Sequence, residues 1–466
     1  MRWLTVPMLS LSLLAPGLAQ AAPHEDVVHR WNHIALDATG LDHLSPPLAD
    51  QLGPGRSSRA MAIVHIAMFD ALNAIIGGYE SYTGTPRTGR GTSQDAAAAQ
   101  AAHDTLVALF PAQRSTLDNL LSEELARPPH GRPKLDGIAL GQQVAAALLA
   151  MRAEDGSDHE EPVVGEDHIT SNDPGHWRQD PISQIPLALG AHWGTCAPFV
   201  MQTPDQFRTP PPPAMGSPEY TAAYNDVKAI GGDGDITPTS RTEEQTQIGI
   251  FWAYDGTPNL CAPPRLYNQI VLQIADERRT RMFETARLLA LLNTALADSG
   301  IAIWESKYFY DFWRPITGIR ESDPGTGPTG NGDGNDDTMG DIDFSPLGAP
   351  ASNSLSPNFT PPFPAYPSGH AGFGGATFQV LRRFYGTDDI AFTFISDELN
   401  GVTLDNQGMP RPLVPRSFST LSEAEEENGQ SRIYLGIHWA FDKTEGITQG
   451  RDVADYVFDN AFQPEP

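Results

Sequence analysis

The chain has 466 residues, with 30 Lys plus Arg against 58 Asp plus Glu, a formal net charge of −28. So acidic a protein repels phosphate backbones and anionic bilayers, which argues against a nucleic-acid binder and against docking on a membrane. Hydrophobic residues make up 40% of the sequence, enough for a large core and too many for general disorder, and two cysteines exclude a disulfide scaffold and a four-thiolate zinc site.

Residues 1–21 read as an export signal: Arg2, an apolar run over residues 4–15, then small residues at Ala19-Gln20-Ala21. A secreted or periplasmic protein is therefore expected. No later run of 18 apolar residues suggests a membrane span, so a soluble protein is expected too. Helical periodicity then dominates. Residues 56–76 place Ile63, Ile66, Met68, Ala71, Leu72 and Ile75 on one broad face, and 95–110, 136–152, 242–254 and 265–276 follow in the same style. A long amphipathic stretch from Arg278 reaches Trp313, where Arg314-Pro315 ends it. Later helices are predicted at 368–385, 390–400, 422–439 and 444–462. No comparable run alternates apolar and polar residues as a half-buried strand does, so an all-α fold is predicted, with more helices than one four-helix bundle holds.

Irregular stretches separate these helices. Residues 156–218 are rich in Asp, Glu, Gly and Pro, with four prolines in a row at Pro210–Pro213, as wrapping loops or a layer boundary would be. Residues 323–346 carry six aspartates and no Lys or Arg; they read as a solvated loop, since Asp333, Asn335 and Asp337 are not followed by the glycine of an EF-hand calcium turn. Cys196 and Cys261 are open to pairing in an oxidising compartment or to standing as two buried thiols.

Several motifs fail on spacing. His24-Glu25 and His29 are one residue too far apart to put two imidazoles on one helix face, and a flexible N-terminus is expected there. No glycine-rich phosphate loop and no Gly-x-Ser-x-Gly elbow occurs. His65, within an apolar helix, reads as a satisfied core histidine, as do His103 and His192.

Three C-terminal segments concentrate cations and histidines in a chain that otherwise avoids positive charge. In Lys307-Tyr-Phe-Tyr-Asp-Phe-Trp-Arg314, seven helical steps bring Lys307 and Arg314 to one face about 10 Å apart along the axis. In Pro367-Ser368-Gly369-His370, a hydroxyl, a bare glycine amide and a histidine open a helix, a ready cradle for an anion. The glycines Gly372, Gly374 and Gly375 thin that helix for close packing. In Ser431-Arg432-Ile-Tyr-Leu-Gly-Ile-His438, six helical steps turn Arg432 and His438 about 240° apart, so they reach one pocket only from its two sides. Together these residues suit a tetrahedral oxyanion: three cations neutralise it, Ser368 and Gly369 hold its oxygens, and one imidazole bonds its centre.

The order Lys-x6-Arg-Pro, Pro-Ser-Gly-His, Ser-Arg-x5-His resembles the signature of the vanadium-dependent haloperoxidases and the related type 2 phosphatidic acid phosphatases. Asp397-Glu398-Leu399-Asn400-Gly401 and His438-Trp439-Ala440-Phe441-Asp442 are similar to the soluble chloroperoxidase branch. The resemblance implies two helical bundles, read here as 22–235 and 236–466 after the signal, with the vanadate or phosphate pocket in the second. It implies vanadate as cofactor and hydrogen peroxide and halide as substrates, with a small organic acceptor left open. His438 would be the ligand bound to the metal, and His370 the acid–base residue. Lys307, Arg314, Ser368, Gly369 and Arg432 would bind the vanadate oxygens, and Lys307 would also polarise peroxide. Trp304 and Phe363 stand where the chloroperoxidases carry aromatic residues. An apolar neighbour at 363 would leave His370 without an extra hydrogen-bond partner and keep a halide partly desolvated. The same residues would alternatively serve a secreted soluble acid phosphatase, with His438 attacking phosphorus and His370 protonating the leaving oxygen.

Overall fold

Short polar side chains set where six of the thirteen described α-helices begin. The computed structural model describes residues 25–44 and 49–465; the export signal expected at 1–21 lies outside them. Asp26 accepts from the amides of Val28 and His29 and opens α1 (Val27–Asp42). α2 (Gly53–Ile76) starts on a proline, Ser93 caps α3 (Gln94–Leu109), and α4 (Arg114–Ala126) and α5 (Arg132–Met151) follow. Ser217 caps α6 (Pro218–Ile230), and a Thr242–Gln245 capping box opens α7 (Glu243–Phe251). Next come α8 (Pro263–Glu277), α9 (Met282–Tyr310) and the short α10 (Pro315–Arg320). Ser368 caps α11 (Gly369–Tyr385), Thr420 caps α12 (Leu421–Tyr434), and α13 (Ala440–Asn460) closes the order.

The all-α prediction holds, with one small exception. α1 to α5 form a first bundle around α3; α9, α11, α12 and α13 form a second, and α9 packs on α2 as well as on α11 and α13. α2 and α9 are each long and apolar enough to span a bilayer, yet 89% and 100% of their apolar windows are buried inside the protein. Helices apolar on all sides are core helices here. Residues 390–400, predicted helical, instead hold β1 (Phe392–Phe394), paired antiparallel with β2 (Arg416–Phe418), and one turn of 3-10 helix. Phe392 and Phe394 are buried and Thr393 is exposed, an alternation too short for a periodicity search to separate from helix.

The predicted flexible N-terminus is also corrected. His29 lies in α1, with Nδ1 2.8 Å from Asp26 and Nε2 2.8 Å from Asp276 of α8. Cys196 and Cys261 are both buried and unbridged, the second of the two arrangements left open. The aspartates of 323–346 tie turns: Asp333 accepts from the Asn335 amide and from Thr338, and Asp323 accepts from the Gly340 amide.

The glycine-thinned α11 meets α13 backbone to backbone. A Cβ added at Gly375 would lie 2.5 Å from the Ile447 carbonyl, and one at Gly450 only 1.9 Å from the Gly372 carbonyl. This contact seats the start of α11 on the start of α13, where the Ser368 amide donates to the Asp442 carbonyl at 2.9 Å.

His65 is a core residue with polar partners at both ring nitrogens, Nδ1 2.8 Å from the Met61 carbonyl and Nε2 2.9 Å from Asn32 Oδ1. Burial pushes its pKa down to about 4. The unfolded chain therefore binds a proton near pH 6.5 that the folded chain refuses until about pH 4, so stability falls as pH falls through that window, by up to about 3 kcal/mol. His65→Gln is expected to shrink the acid-induced drop in Tm across this range; an undiminished drop would contradict the assignment.

Candidate active site

The predicted anion-binding residues sit at or beside helix ends, whereas Trp304 lies within α9 and Phe363 in the irregular segment before α11. Lys307 is in the last turn of α9, which Asp311 terminates in a left-handed conformation (φ 51°), and Arg314 is the residue that caps α10. Ser368 caps α11 and His370 lies in its first turn. Arg432 is in the last turn of α12; Gly436 (φ 72°) then turns the chain, and His438 precedes α13 by one residue. Two helical-wheel arguments are corrected by these breaks. α9 ends three residues before Trp313, so Lys307 and Arg314 do not share a helix face, and the 240° between Arg432 and His438 has no meaning across Gly436. Convergence comes from the turns. Lys307, Ser368 and Arg432 are 0% exposed, Arg314 1%, His438 2% and His370 7%, which rules out solvated faces.

The two arginines are only partly used by the protein. Arg314 donates from Nε to the Phe363 carbonyl and from Nη1 to the Ile437 carbonyl and His438 Nε2, each at 2.9 Å. Arg432 Nη2 donates to both oxygens of Asp255 at 2.8 and 2.9 Å. Arg314 Nη2 and Arg432 Nε and Nη1 are buried with no partner among the described residues. Unsatisfied buried guanidinium groups are costly, and an oxyanion is the acceptor that would satisfy three of them at once. The opening amides of α11, at Gly369 and His370, have no intrahelical acceptor and add to the same cradle. A Cβ at Gly369 would lie 3.3 Å from the Trp304 indole, a tight contact that favours glycine there.

Lys307 is placed differently from the arginines. Its ammonium donates to the carbonyls of Pro364, Ala365 and Pro367 at 2.8, 2.9 and 2.5 Å, so its three protons are engaged by the chain. His438 Nδ1 lies 2.8 Å from Asp442, which fixes the tautomer and presents Nε2 as a lone pair. His370 Nε2 contacts the Ala253 carbonyl and lies 3.8 Å from Asp255. The expectation that His370 has no extra hydrogen-bond partner is thus corrected: Phe363 does not supply one, but the backbone of residue 253 does. Burial, reinforced by the surrounding cations, holds both imidazoles well below the usual histidine range and Lys307 well below the usual ammonium range. Burial also lowers Arg314 to about 9 and raises Asp442 to about 7.

A cavity of about 450 Å³ is lined by Gly369, His370, Arg432, His438 and Asp255, while Lys307, Arg314 and Ser368 lie behind its lining. Trp304 and Phe363 form a wall, their ring centroids 4.9 Å apart, and Lys307 Nζ sits 5.2 Å from the Phe363 ring. The pocket carboxylates Asp255 and Asp442 carried no role in the sequence reading. Asp442 had a local signal, four residues after His438; Asp255 had none.

Fold and site together define a helical-bundle protein with a buried oxyanion centre in its second bundle. The VCPO second helical-bundle domain matches residues 287–464. Vanadium chloroperoxidase of Curvularia inaequalis is 32% identical over 490 aligned positions, spanning 88% of this chain and 78% of that protein. The first bacterial vanadium-dependent iodoperoxidase superimposes with a TM-score of 0.74 at 23% identity, over 94% of this chain and 97% of that one. A holo-type bacterial vanadium-dependent chloroperoxidase gives 0.63 at 19%, over 92% and 97%. The chain belongs to the vanadium-dependent haloperoxidase family.

Proposed function

We propose that this pocket holds vanadate and that the enzyme oxidises halide with hydrogen peroxide to hypohalous acid or an equivalent halogenating species. The observation that carries this is the set of three unpartnered, buried guanidinium nitrogens beside an imidazole whose Nε2 lone pair is kept free of protons. Bound vanadate supplies a Lewis-acidic centre that takes up peroxide and makes it electrophilic towards halide.

The rest is done by the chain. Arg314 and Arg432, with the Ser368 hydroxyl and the opening amides of α11, neutralise and orient the oxyanion. His438 Nε2, which accepts from Arg314 Nη1 in this structure, would be the ligand to the metal, and Asp442 holds that ring in register. His370 keeps its Nε2–H on the Ala253 carbonyl, which leaves Nδ1 to accept and return the proton of the oxygen being exchanged. The Lys307 ammonium, anchored on the 364–367 backbone, stands beside Arg314 and adds to the positive potential when an anion is bound to offset its burial. Trp304 and Phe363 keep water from the halide side, an environment suited to chloride as well as the softer halides. The proline-lined mouth of the cavity, with Pro361, Pro362 and Phe359, suits an apolar organic acceptor.

Apo-protein given orthovanadate, peroxide and bromide is expected to halogenate a β-diketone. Phosphate should compete, and His438→Ala should abolish the activity. Vanadate-independent hydrolysis of a phosphomonoester without halogenation would overturn the reading in favour of the phosphatase.

A further inference from the structure

Leaving α7, residues 251–255 run as a short strap along the His370–Arg432 side of the pocket. Ala253 offers its carbonyl to His370, and Asp255, whose side chain is 4% exposed, offers its carboxylate to Arg432. Between them Tyr254 is left-handed (φ 49°), a conformation that a bulky side chain keeps only when its surroundings hold it. The strap therefore carries partners for two site residues on either side of a strained link.

One segment grips that link at three points. Ser396 Oγ donates to the Phe251 carbonyl at 2.6 Å, the Asp397 amide donates to the Tyr254 hydroxyl at 2.7 Å, and the Tyr254 amide donates to Glu398 Oε1 at 3.2 Å. Glu398 is 0% exposed. Its other oxygen accepts from the Ser352 hydroxyl at 2.5 Å and from Arg411, whose Nη1 also donates to Ser352 at 2.7 Å. A carboxylate that served only to neutralise Arg411 would have both oxygens available to that guanidinium. Here one is anchored by Arg411 and Ser352, and the other is spent on the backbone of the strap.

We propose that Glu398 is a positioning residue for the reaction: through the Tyr254 amide it fixes the Ala253 carbonyl and the Asp255 carboxylate, and through them the His370 ring and the Arg432 guanidinium. This rests on the oxyanion function proposed above and extends it to a carboxylate that does not line the cavity. Substituting glutamine tests it with little change of shape. The charged Arg411 donor retains the glutamine carbonyl oxygen, because charge-assisted bonds are the stronger ones, and the amide NH₂ is turned against the Tyr254 N–H.

Orthovanadate, and separately phosphate, would be titrated calorimetrically into apo-protein, at a temperature where circular dichroism shows every variant folded. Glu398→Gln is expected to weaken both affinities by about tenfold or more. Ser352→Ala, which withdraws one anchor and disturbs the core less, should weaken them by a smaller factor and decides the matter if Glu398→Gln does not fold. Glu124→Gln, which breaks a buried pair with Arg30 in the first bundle, should lower Tm and leave both affinities unchanged. Folded Glu398→Gln or Ser352→Ala protein that binds orthovanadate as wild type does, with only Tm reduced, would overturn the proposal. Wild-type protein that itself bound neither anion would overturn the oxyanion function instead.

Discussion

Arg432→Ala is expected to reduce orthovanadate affinity by at least about a thousandfold, roughly 4 kcal/mol. Two losses combine. The buried N–H groups at Nε and Nη1 disappear from the pocket, and Asp255 is left as a buried carboxylate facing the bound anion with no cation between them. Breaking one side of a buried ion pair costs about 3–5 kcal/mol in its own right, so the variant is also expected to melt lower. Burial already raises the Asp255 pKa against the influence of Arg432; without the guanidinium the carboxyl should take up a proton as the structure's way of limiting the damage. Arg432→Lys should recover only part of the loss, because an ammonium held on Asp255 cannot also present the flat face of donors that a guanidinium has. Calorimetric titration of apo-protein measures the affinities of both variants, and thermal melting measures the loss of stability. A change of less than tenfold for Arg432→Ala would mean that the anion is held mainly elsewhere.

Gly450→Ala is expected to be the most damaging single methyl group in the second bundle. The added Cβ would lie 1.9 Å from the Gly372 carbonyl and 2.8 Å from the Ala376 amide nitrogen, both backbone atoms that cannot swing aside. Relief requires α13 to move away from α11. Overpacking of this kind costs about 3 kcal/mol or more, and the movement separates the helix start that carries His370 from the one that follows His438. Thermal melting should show the destabilisation, and orthovanadate affinity should fall with it. Gly216→Ala, at a position with no heavy atom within 4 Å, is the matched control and should change neither. Equal melting of the two variants would show that the helices have slack that the packing does not suggest.

The pocket was legible in the sequence where the chemistry is local and obscure where it depends on distant chain. Ser368-Gly369-His370 could be placed at a helix start because capping is decided within four residues. Lys307, Arg314, Arg432 and His438 were identified by residue type and order, but the helices drawn through them were too long. Trp313 and the run from Ile433 to Trp439 are apolar enough to continue a periodic pattern, and nothing in that pattern marks the left-handed residue at Asp311. Gly436 was the visible clue, and it was outweighed by its apolar neighbours. Asp255 pairs with Arg432 across 177 positions and Glu398 reaches Tyr254 across 144, so neither pairing leaves a local trace. The helix at 27–42 was missed for another reason: His24, Glu25 and His29 were weighed as metal ligands, whereas Asp26 beside them is a helix cap.

The 29-residue α9 belongs to both bundles at once, lying on α2 along one flank and on α11 and α13 along the other. The first bundle also reaches the reaction chamber directly, since Leu52, Gly53 and Pro54 border the cavity that residues of the second bundle line. The two bundles therefore share one core through α9. A ribosome emitting this chain has made every apolar surface that α2 needs to cover only once α9 has emerged, and the chamber comes into being when the last helices close against that shared rod.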